Sequence, residues 1–422
     1  MHCGSTPAAS GSLFAAAKAA AISRTIRGNT LGSSNLCKAL AHFVYTNKFV
    51  TNLAYTSVKP FQPQPLPIKD VKWEELIPEL GEANRAISRY AGVLHAIPNP
   101  NVLLSPLRTQ EAVLSSAIEG TQATLGEVLK FEVEEEEKED RKRHDIQEIL
   151  NYRKALFEAE EELNDRPFNL NLLLGLHSLL LDSVRGRDKG RGHLRTVQNW
   201  IGSSRCSIDE AHFVPPPPDL VPVALHQWEK YYHSTEKDPL AQLAVVHAQF
   251  EIIHPFVDGN GRLGRIIIPL FLFEKKLLHR PMFYLSAWLE KNRDDYVERL
   301  RVLGRSPGAW NDWIRFFLRG IAEQSGINAD KALAVKALYE ELKLECLKLT
   351  HSQFAVPLLD RMFQHPFFYG SAIKLPENPS RQSVSHLLSA LSRGGIIEVA
   401  RRGQGRRPTI YALRRLISLC ET

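Results

Sequence analysis

His254-Pro-Phe-Val-Asp258-Gly259-Asn260-Gly261-Arg262-Leu263-Gly264-Arg265 is the stretch that decides how this chain is read. An apolar run, LAVVHAQFEII, precedes it, and a second, IIIPLFLF, follows it. The segment is therefore a tight loop between two buried helices, ending on a helix N-terminus. Gly259 and Gly261 let the backbone approach a ligand closely, and the unpaired N–H groups of a helix start can receive phosphate oxygens. Arg262 and Arg265 sit three apart on one helix face, in reach of the same polyphosphate. Asp258 offers a hard carboxylate oxygen, the usual way to hold Mg²⁺ against a phosphate. Asn260 can donate to a phosphate or sugar oxygen, and His254 can take a proton near neutral pH. Base, metal ligand, anion nest and two arginines together make a kit for phosphoryl or nucleotidyl transfer. No GxxxxGK[ST] occurs, so the site is not a P-loop.

The surroundings are those of a globular chain. Its 422 residues suggest two or three domains, with 44% hydrophobic and 24% charged residues. The longest apolar run, Ile266 to Phe273, contains Pro269 and ends at Glu274, too short to cross a bilayer. The five cysteines are scattered and odd in number, which fits a reducing, cytoplasmic setting and argues against a disulfide framework. Residues 1–58 are basic, rich in Ala and Ser, and free of acid, since the first acidic residue is Asp70. They read as a poorly ordered extension, or translated upstream sequence; an organelle transit peptide is the alternative.

Helical periodicity dominates from Trp73 onward. A helix is expected from Pro106 to Glu119, stopped by Gly120 in a left-handed cap. Thr124 and Glu127 have capping-box spacing for the next helix. Long helices are expected from Asp145 to about Gly320, with a hairpin over Val197 to Val214 closed by Pro215 to Pro218. Another helix is expected after Ala329, then a C-terminal region reading helix, helix, hairpin.

The decisive segment resembles the Fic signature, HPFx(D/E)GN(G/K)RxxR, at every specified position. The resemblance implies that His254 deprotonates a target hydroxyl and that Asp258 binds Mg²⁺. It implies that Gly259 to Arg262 hold the α- and β-phosphates of ATP and that Arg265 holds the γ-phosphate. Relatives of the Doc type carry Lys where Gly261 stands and phosphorylate instead, so Gly261 favours AMP transfer. Arg195 to Gly202 and Phe213 to Pro218 resemble the family's flap, which pins a target segment by strand addition. Tyr296 resembles a tyrosine that lines the nucleotide pocket. The resemblance thus implies an ATP-binding set of Glu119, His254, Gly259, Asn260, Gly261, Arg262, Leu263, Gly264, Arg265 and Tyr296. His247, two turns before the motif on an apolar helix, reads as a packed core histidine.

Ser115-Ser-Ala-Ile-Glu119-Gly120 matches a second family pattern, (S/T)xxxE(G/N). In relatives this helix is inhibitory, its Glu pairing with the second motif Arg. Here the pair would be Glu119 and Arg265. At the other end, Ser380 to Arg393 reads as a recognition helix capped by Ser380 and stopped by Gly394. Ile396 to Ala400 and Thr409 to Leu413 read as two strands. The turn Arg401-Arg-Gly-Gln-Gly-Arg-Arg407 between them is a basic wing, suited to DNA phosphates or to a protein partner.

The expectation is a mainly α protein in four parts. They are the extension (1–58), an N-terminal helical region with the inhibitory helix (59–140), a Fic helical core with a small β-hairpin flap (141–325), and a C-terminal winged-helix domain (330–422). The expected activity is transfer of AMP from ATP, with Mg²⁺, to Ser, Thr or Tyr hydroxyls of target proteins, restrained by Glu119. Self-modification, a homodimer and DNA are further candidate partnerships, and no membrane is expected. The alternatives are AMP removal, transfer of another phosphate-containing group, or an ATP-sensing DNA-binding regulator.

Overall fold

The computed structural model describes residues 2–4, 60–134, 140–182, 189–202, 206–303, 305–306, 308–405 and 407–421. The expected extension therefore lies outside the described residues except at 2–4, and Arg406 of the basic turn also lies outside them. Helices account for most of what is described. In the N-terminal half those longer than a single turn are α1 (Ile77–His95), α2 (Ser105–Ile118), α3 (Leu125–Phe131), α4 (Asp140–Asp165) and α5 (Leu170–Leu180). Next come α6 (Val221–His233), α7 (Pro239–Ile253), α8 (Asn260–Glu274), α9 (Ser286–Lys291) and α10 (Arg293–Val302). The last are α11 (Ala309–Thr350), α12 (Ala355–Gln364), α13 (Arg381–Arg393) and α14 (Arg414–Glu421).

Local chemistry places these helices. Gly120 has φ +101°, which ends α2 as the glycine requires. Thr124 caps α3 in a reciprocal box, accepting from Glu127 N at 3.3 Å while Glu127 Oε2 accepts from Thr124 N at 2.9 Å. Asp238 Oδ1 caps α7, accepting from Leu240 N at 2.8 Å and Ala241 N at 3.1 Å. Every residue of α7 except Pro239 and Glu251 is buried, the mark of a helix enclosed on all sides. Trp228 of α6 and Trp313 of α11 pack in the same core and donate their indole N–H groups to Val246 O and Ala244 O of α7, both at 2.8 Å. These contacts anchor the middle of α7, the rigid helix that carries His254 at its end.

Several expectations are corrected. No new helix starts after Ala329, because one 42-residue helix, α11, runs unbroken through that point. The helix after the motif ends at Glu274, with Lys276 turned left-handed at φ +59°. By contrast, α13 is capped by Ser380 and stopped by Gly394 as expected, with Gly395 left-handed (φ +75°) just after it. The C-terminal region also holds a strand that alternation did not reveal. β3 (Phe367–Tyr369) and β4 (Glu398–Arg401) both pair antiparallel with β5 (Ile410–Ala412). A three-residue apolar strand is too short to show a period of two.

The flap is minimal. β2 (Trp200–Gly202) meets its return segment at Ile201, whose N–H donates to Phe213 O at 2.8 Å and whose O accepts from His212 N at 2.9 Å and Phe213 N at 3.1 Å. β2 also pairs antiparallel with β1 (His2–Gly4) of the same chain. The flap edge thus takes an added strand.

Candidate active site

The site is built where α7 stops. His254 is the C-cap of α7, with φ +47° and ψ +60°, and its N–H donates to Phe250 O at 3.0 Å. Arg195, 3% exposed, holds this turn from outside. Its Nε donates to His254 O at 2.8 Å, its Nη2 to Pro216 O at 2.6 Å, and its N–H to Pro255 O at 2.9 Å. A strained turn at a functional residue persists only when its surroundings over-determine it, and Arg195 does that here. His254 Nδ1 faces Glu251 O at 3.3 Å. A carbonyl only accepts, so Nδ1 carries the proton and Nε2 is left as proton acceptor. Burial pushes the imidazole down to about 4, with the Glu251 carbonyl opposing and the Arg195 charge assisting, so it is neutral at physiological pH.

The loop that follows is braced from within. Asn260 Oδ1 accepts from Phe256 N and its Nδ2 donates to Phe256 O, both at 2.9 Å. Its amide is therefore engaged by the loop rather than held out to a ligand. Gly259 has φ +82° and caps α8. His177 stacks on Phe256 with ring centroids 3.8 Å apart and reaches Asp258 O through Nε2 at 3.0 Å. Its Nδ1 accepts from Gly192 N at 3.0 Å, so Nε2 is the donor to the carbonyl.

The two arginines lie on one face and serve different partners. Arg262 Nη1 pairs with Glu148 Oε2 at 3.1 Å and its Nη2 with Asp258 Oδ1 at 3.5 Å. Arg265 donates through Nε to Ser115 Oγ at 2.8 Å, and through Nη2 to Ser115 O at 2.9 Å and Glu119 Oε1 at 2.8 Å. Burial pushes the Glu119 carboxyl up, but the Arg265 charge and hydrogen bond, helped by Arg262, outweigh it and hold it down at about 2. The pair is thus ionic. A Cβ at Gly261 would collide with Glu119 Oε1, so glycine at this position makes room for the carboxylate.

These groups border one cavity of about 830 Å³. Glu119, His254, Asp258, Gly259, Asn260, Gly261, Arg265 and Tyr296 all line it. Arg262, Leu263 and Gly264 do not; Leu263 is buried in the core, and Arg262 faces Glu148. Tyr296 is only 4% exposed, and its hydroxyl meets His247 Nε2 at 3.0 Å. His247 Nδ1 faces Gly264 O at 3.2 Å and must be the donor there, so the tyrosine hydroxyl donates to Nε2. Tyr296 therefore offers the cavity its ring. His247 is a fully buried core residue.

Asp258 fits a magnesium ligand in kind. Its side chain is 41% exposed beside the helix start, where Lys189 Nζ lies at 3.6 Å. Mg²⁺ commonly takes one carboxylate and fills its remaining positions from phosphate and water. No cluster of three His, Cys, Asp or Glu residues that could hold a metal occurs among the described residues. No described helix is long and apolar enough to cross a membrane.

Fold and site together define a family, and comparison with known proteins agrees. Residues 77–161 match the Fic/DOC family N-terminal pattern and residues 167–272 the Fic/DOC family pattern, and the chain belongs to the Fic family. A probable protein adenylyltransferase of Aquifex aeolicus is 36% identical over 92 residues, 22% of this chain and 26% of that one. A Fido domain-containing protein of Dictyostelium discoideum is 33% identical over 81 residues, 19% of this chain and 52% of its own. The chain thus spans between about a quarter and about half of the length of these relatives. A crystal structure of a Fic family protein from Desulfovibrio desulfuricans superposes with a TM-score of 0.50 and 22% identity, covering 84% of this chain and 98% of that one. That likeness concerns the fold.

The sequence named Arg195 only as the start of the flap segment, without its role at His254, and did not single out Glu148 or His177. Each lies far along the chain from the motif and acts on it through backbone oxygens or a charge pair, so no local pattern reveals that contact.

Proposed function

We propose that the protein is an adenylyltransferase that moves AMP from ATP onto Ser, Thr or Tyr hydroxyls of target proteins, and that Glu119 restrains it. The observation that carries this reading is the placement of a neutral His254, the glycine loop and the Arg265–Glu119 pair around one cavity. In the reaction the target oxygen attacks the α-phosphorus, the new O–P bond forms, and the bond to pyrophosphate breaks. His254 Nε2 takes the hydroxyl proton. The first N–H groups of α8 and Arg265 receive the phosphate oxygens. Asp258 would hold Mg²⁺, which supplies charge neutralisation at the phosphates when bound. The flap edge, which already accepts β1, would hold the target segment by strand addition. Gly261, where Doc-type relatives carry Lys, favours AMP transfer over phosphorylation.

Glu119 acts as a brake by occupying the guanidinium that the γ-phosphate needs. It also places negative charge where negative charge must arrive. Incubating the Glu119→Gly variant with cell lysate and α-labelled ATP tests the whole reading. Label on protein, with a mass gain of one AMP, is expected. Nucleotide binding without labelling would favour a sensor instead.

The C-terminal region supports a second role. Residues 351–422 hold ten Lys or Arg against four Asp or Glu. We read α12 to α14 with the three-stranded sheet as a winged helix. Arg402 and Arg407 of its basic turn are exposed and suited to phosphate contact. Arg401 is not, because it pairs with Glu134 of the N-terminal half.

A further inference from the structure

Glu251 is the only charged residue of α7, one turn before His254. Its carboxylate lies over the backbone of Gly264, where any Cβ would collide with Oε1. That oxygen is enclosed and has no hydrogen-bond partner. The residue nonetheless lines the catalytic cavity. One turn back along α8, Glu119 Oε1 fills the corresponding space over Gly261. Two carboxylates therefore lie against the first turns of α8, each where glycine leaves room, and the charge of Arg265 acts on both. Only Glu119 is bonded to it.

This arrangement bears on how the brake can release. Arg265 is 2% exposed, and a guanidinium does not deprotonate. If Glu119 withdraws before ATP arrives, Ser115 leaves Arg265 only neutral acceptors. A buried cation without a counter-charge is strongly disfavoured. We propose that Glu251 is the reserve counter-ion of Arg265, a positioning residue that holds the guanidinium after Glu119 leaves and before the γ-phosphate arrives. The proposal rests on the reading of Glu119 as the brake.

The electrostatics support this exchange. Burial pushes the Glu251 carboxyl up to about 7, with Arg265 pulling it down and Glu119 pushing it further up. Loss of Glu119 removes that repulsion, so Glu251 ionises beside an unshared Arg265. Arrival of the γ-phosphate restores negative charge, and Glu251 takes up a proton. The charges that act on it are Arg265 of α8 and Glu119 at the end of α2, it acts in turn on Tyr296 of α10, and His247 and His254 stand about one turn to either side of it on its own helix and cap. Burial keeps His247 and His254 neutral, at about 3 and about 4, so neither titrates near neutrality. ATP affinity of the released enzyme should therefore fall as pH rises through neutrality.

Two measurements on the full chain test this. The first is a thermal-unfolding cycle without nucleotide, using the parent, Glu251→Gln, Glu119→Gly and the double variant. Gln keeps the shape and removes the charge. In the parent, Glu251→Gln should shift Tm by about a degree; in the Glu119→Gly background it should cost about 2–4 °C more. An additive cycle overturns the proposal. The second is calorimetric titration of Glu119→Gly with α,β-methylene ATP at neutral pH, in buffers of different ionisation enthalpy. Proton uptake should accompany binding and vanish in the Glu119→Gly/Glu251→Gln variant. Uptake that survives the second substitution, or is never present, overturns the proposal. Neither readout uses labelling. A Glu119→Gly variant that labels no faster than the parent would sink the brake reading separately, while the cycle still reports on Arg265.

Discussion

Arg262 and Arg265 stand about one helical turn apart on α8, and each is paired with a carboxylate, yet the two pairs differ in what holds the carboxylate. Glu148, partner of Arg262, sits inside the 26-residue α4. Glu119, partner of Arg265, is the C-cap of α2, followed at once by left-handed Gly120. Glu119 is also the more exposed, at 24% against 14%. To move Glu148 a long packed helix must shift. To move Glu119 only a helix end must fray, and helix ends lie at the low-stability end of local unfolding. The same ion-pair chemistry therefore gives a fixed support in one place and a releasable contact in the other. What decides between them is the backbone behind the carboxylate.

The contrast can be broken at either pair. The largest effect concerns the group both pairs serve. Adding His254→Ala to Glu119→Gly should lower labelling by ~10²–10⁴-fold while leaving nucleotide affinity near unchanged, because the base acts on the attacking hydroxyl. A double variant that still labels at the rate of Glu119→Gly would remove His254 from the mechanism. Glu119→Gly alone should raise labelling, self-labelling included, by about 100-fold, the scale set by a misplacement of about 1 Å at the reacting phosphate. No gain at saturating ATP and Mg²⁺ would leave Glu119 a helix-end residue.

Glu148→Gln should do the opposite of Glu119→Gly. It should lower labelling in the Glu119→Gly background by about tenfold, the size of one weakened charge-assisted hydrogen bond. If it raised parent activity instead, the two pairs would be equivalent and the distinction would fall.

Acidity separates the pairs from the base. At saturating ATP, labelling by Glu119→Gly should be flat from about pH 6 to 8 and fall towards the His254 value of about 4, because the base works only when neutral. The parent should stay restrained over that whole range. The Glu119 carboxyl is depressed to about 2, so the stability it contributes is present above its unfolded value and lost only as pH falls towards 2. A bell centred near neutrality in Glu119→Gly at saturating ATP would contradict the His254 assignment.

The smallest effect lies at the basic turn, measured as the salt dependence of DNA affinity. Arg402→Ala and Arg407→Ala should each flatten the slope by about 0.9, while Arg401→Ala, already paired with Glu134, should leave it unchanged. Equal effects from all three would mean that the Glu134 pair opens on binding. No DNA binding at low salt would leave a protein-interaction module.

Much of this was legible along the chain. The loop from His254 to Arg265 places its donors by local geometry, since a tight turn into a helix start carries its own spacing. The Thr124–Glu127 box and the Gly120 stop are equally local. Pairing Glu119 with Arg265 across 146 residues came from family resemblance, and the structure brings the two to 2.8 Å. Packing settled what no neighbouring residue announces. Asn260 braces its own loop, and Tyr296 gives its hydroxyl to His247 rather than to the cavity. Arg195 secures the His254 turn, and α11 continues where a new helix was expected. Glu251 reads in sequence as one acid in an apolar helix. Only the fold sets it over Gly264, beside the charge of Arg265. Periodicity and motif spacing report which side chains share a face or a loop. The partner of a buried charge depends on which distant segment the core brings against it, because a buried ion must find its counter-charge wherever packing supplies one.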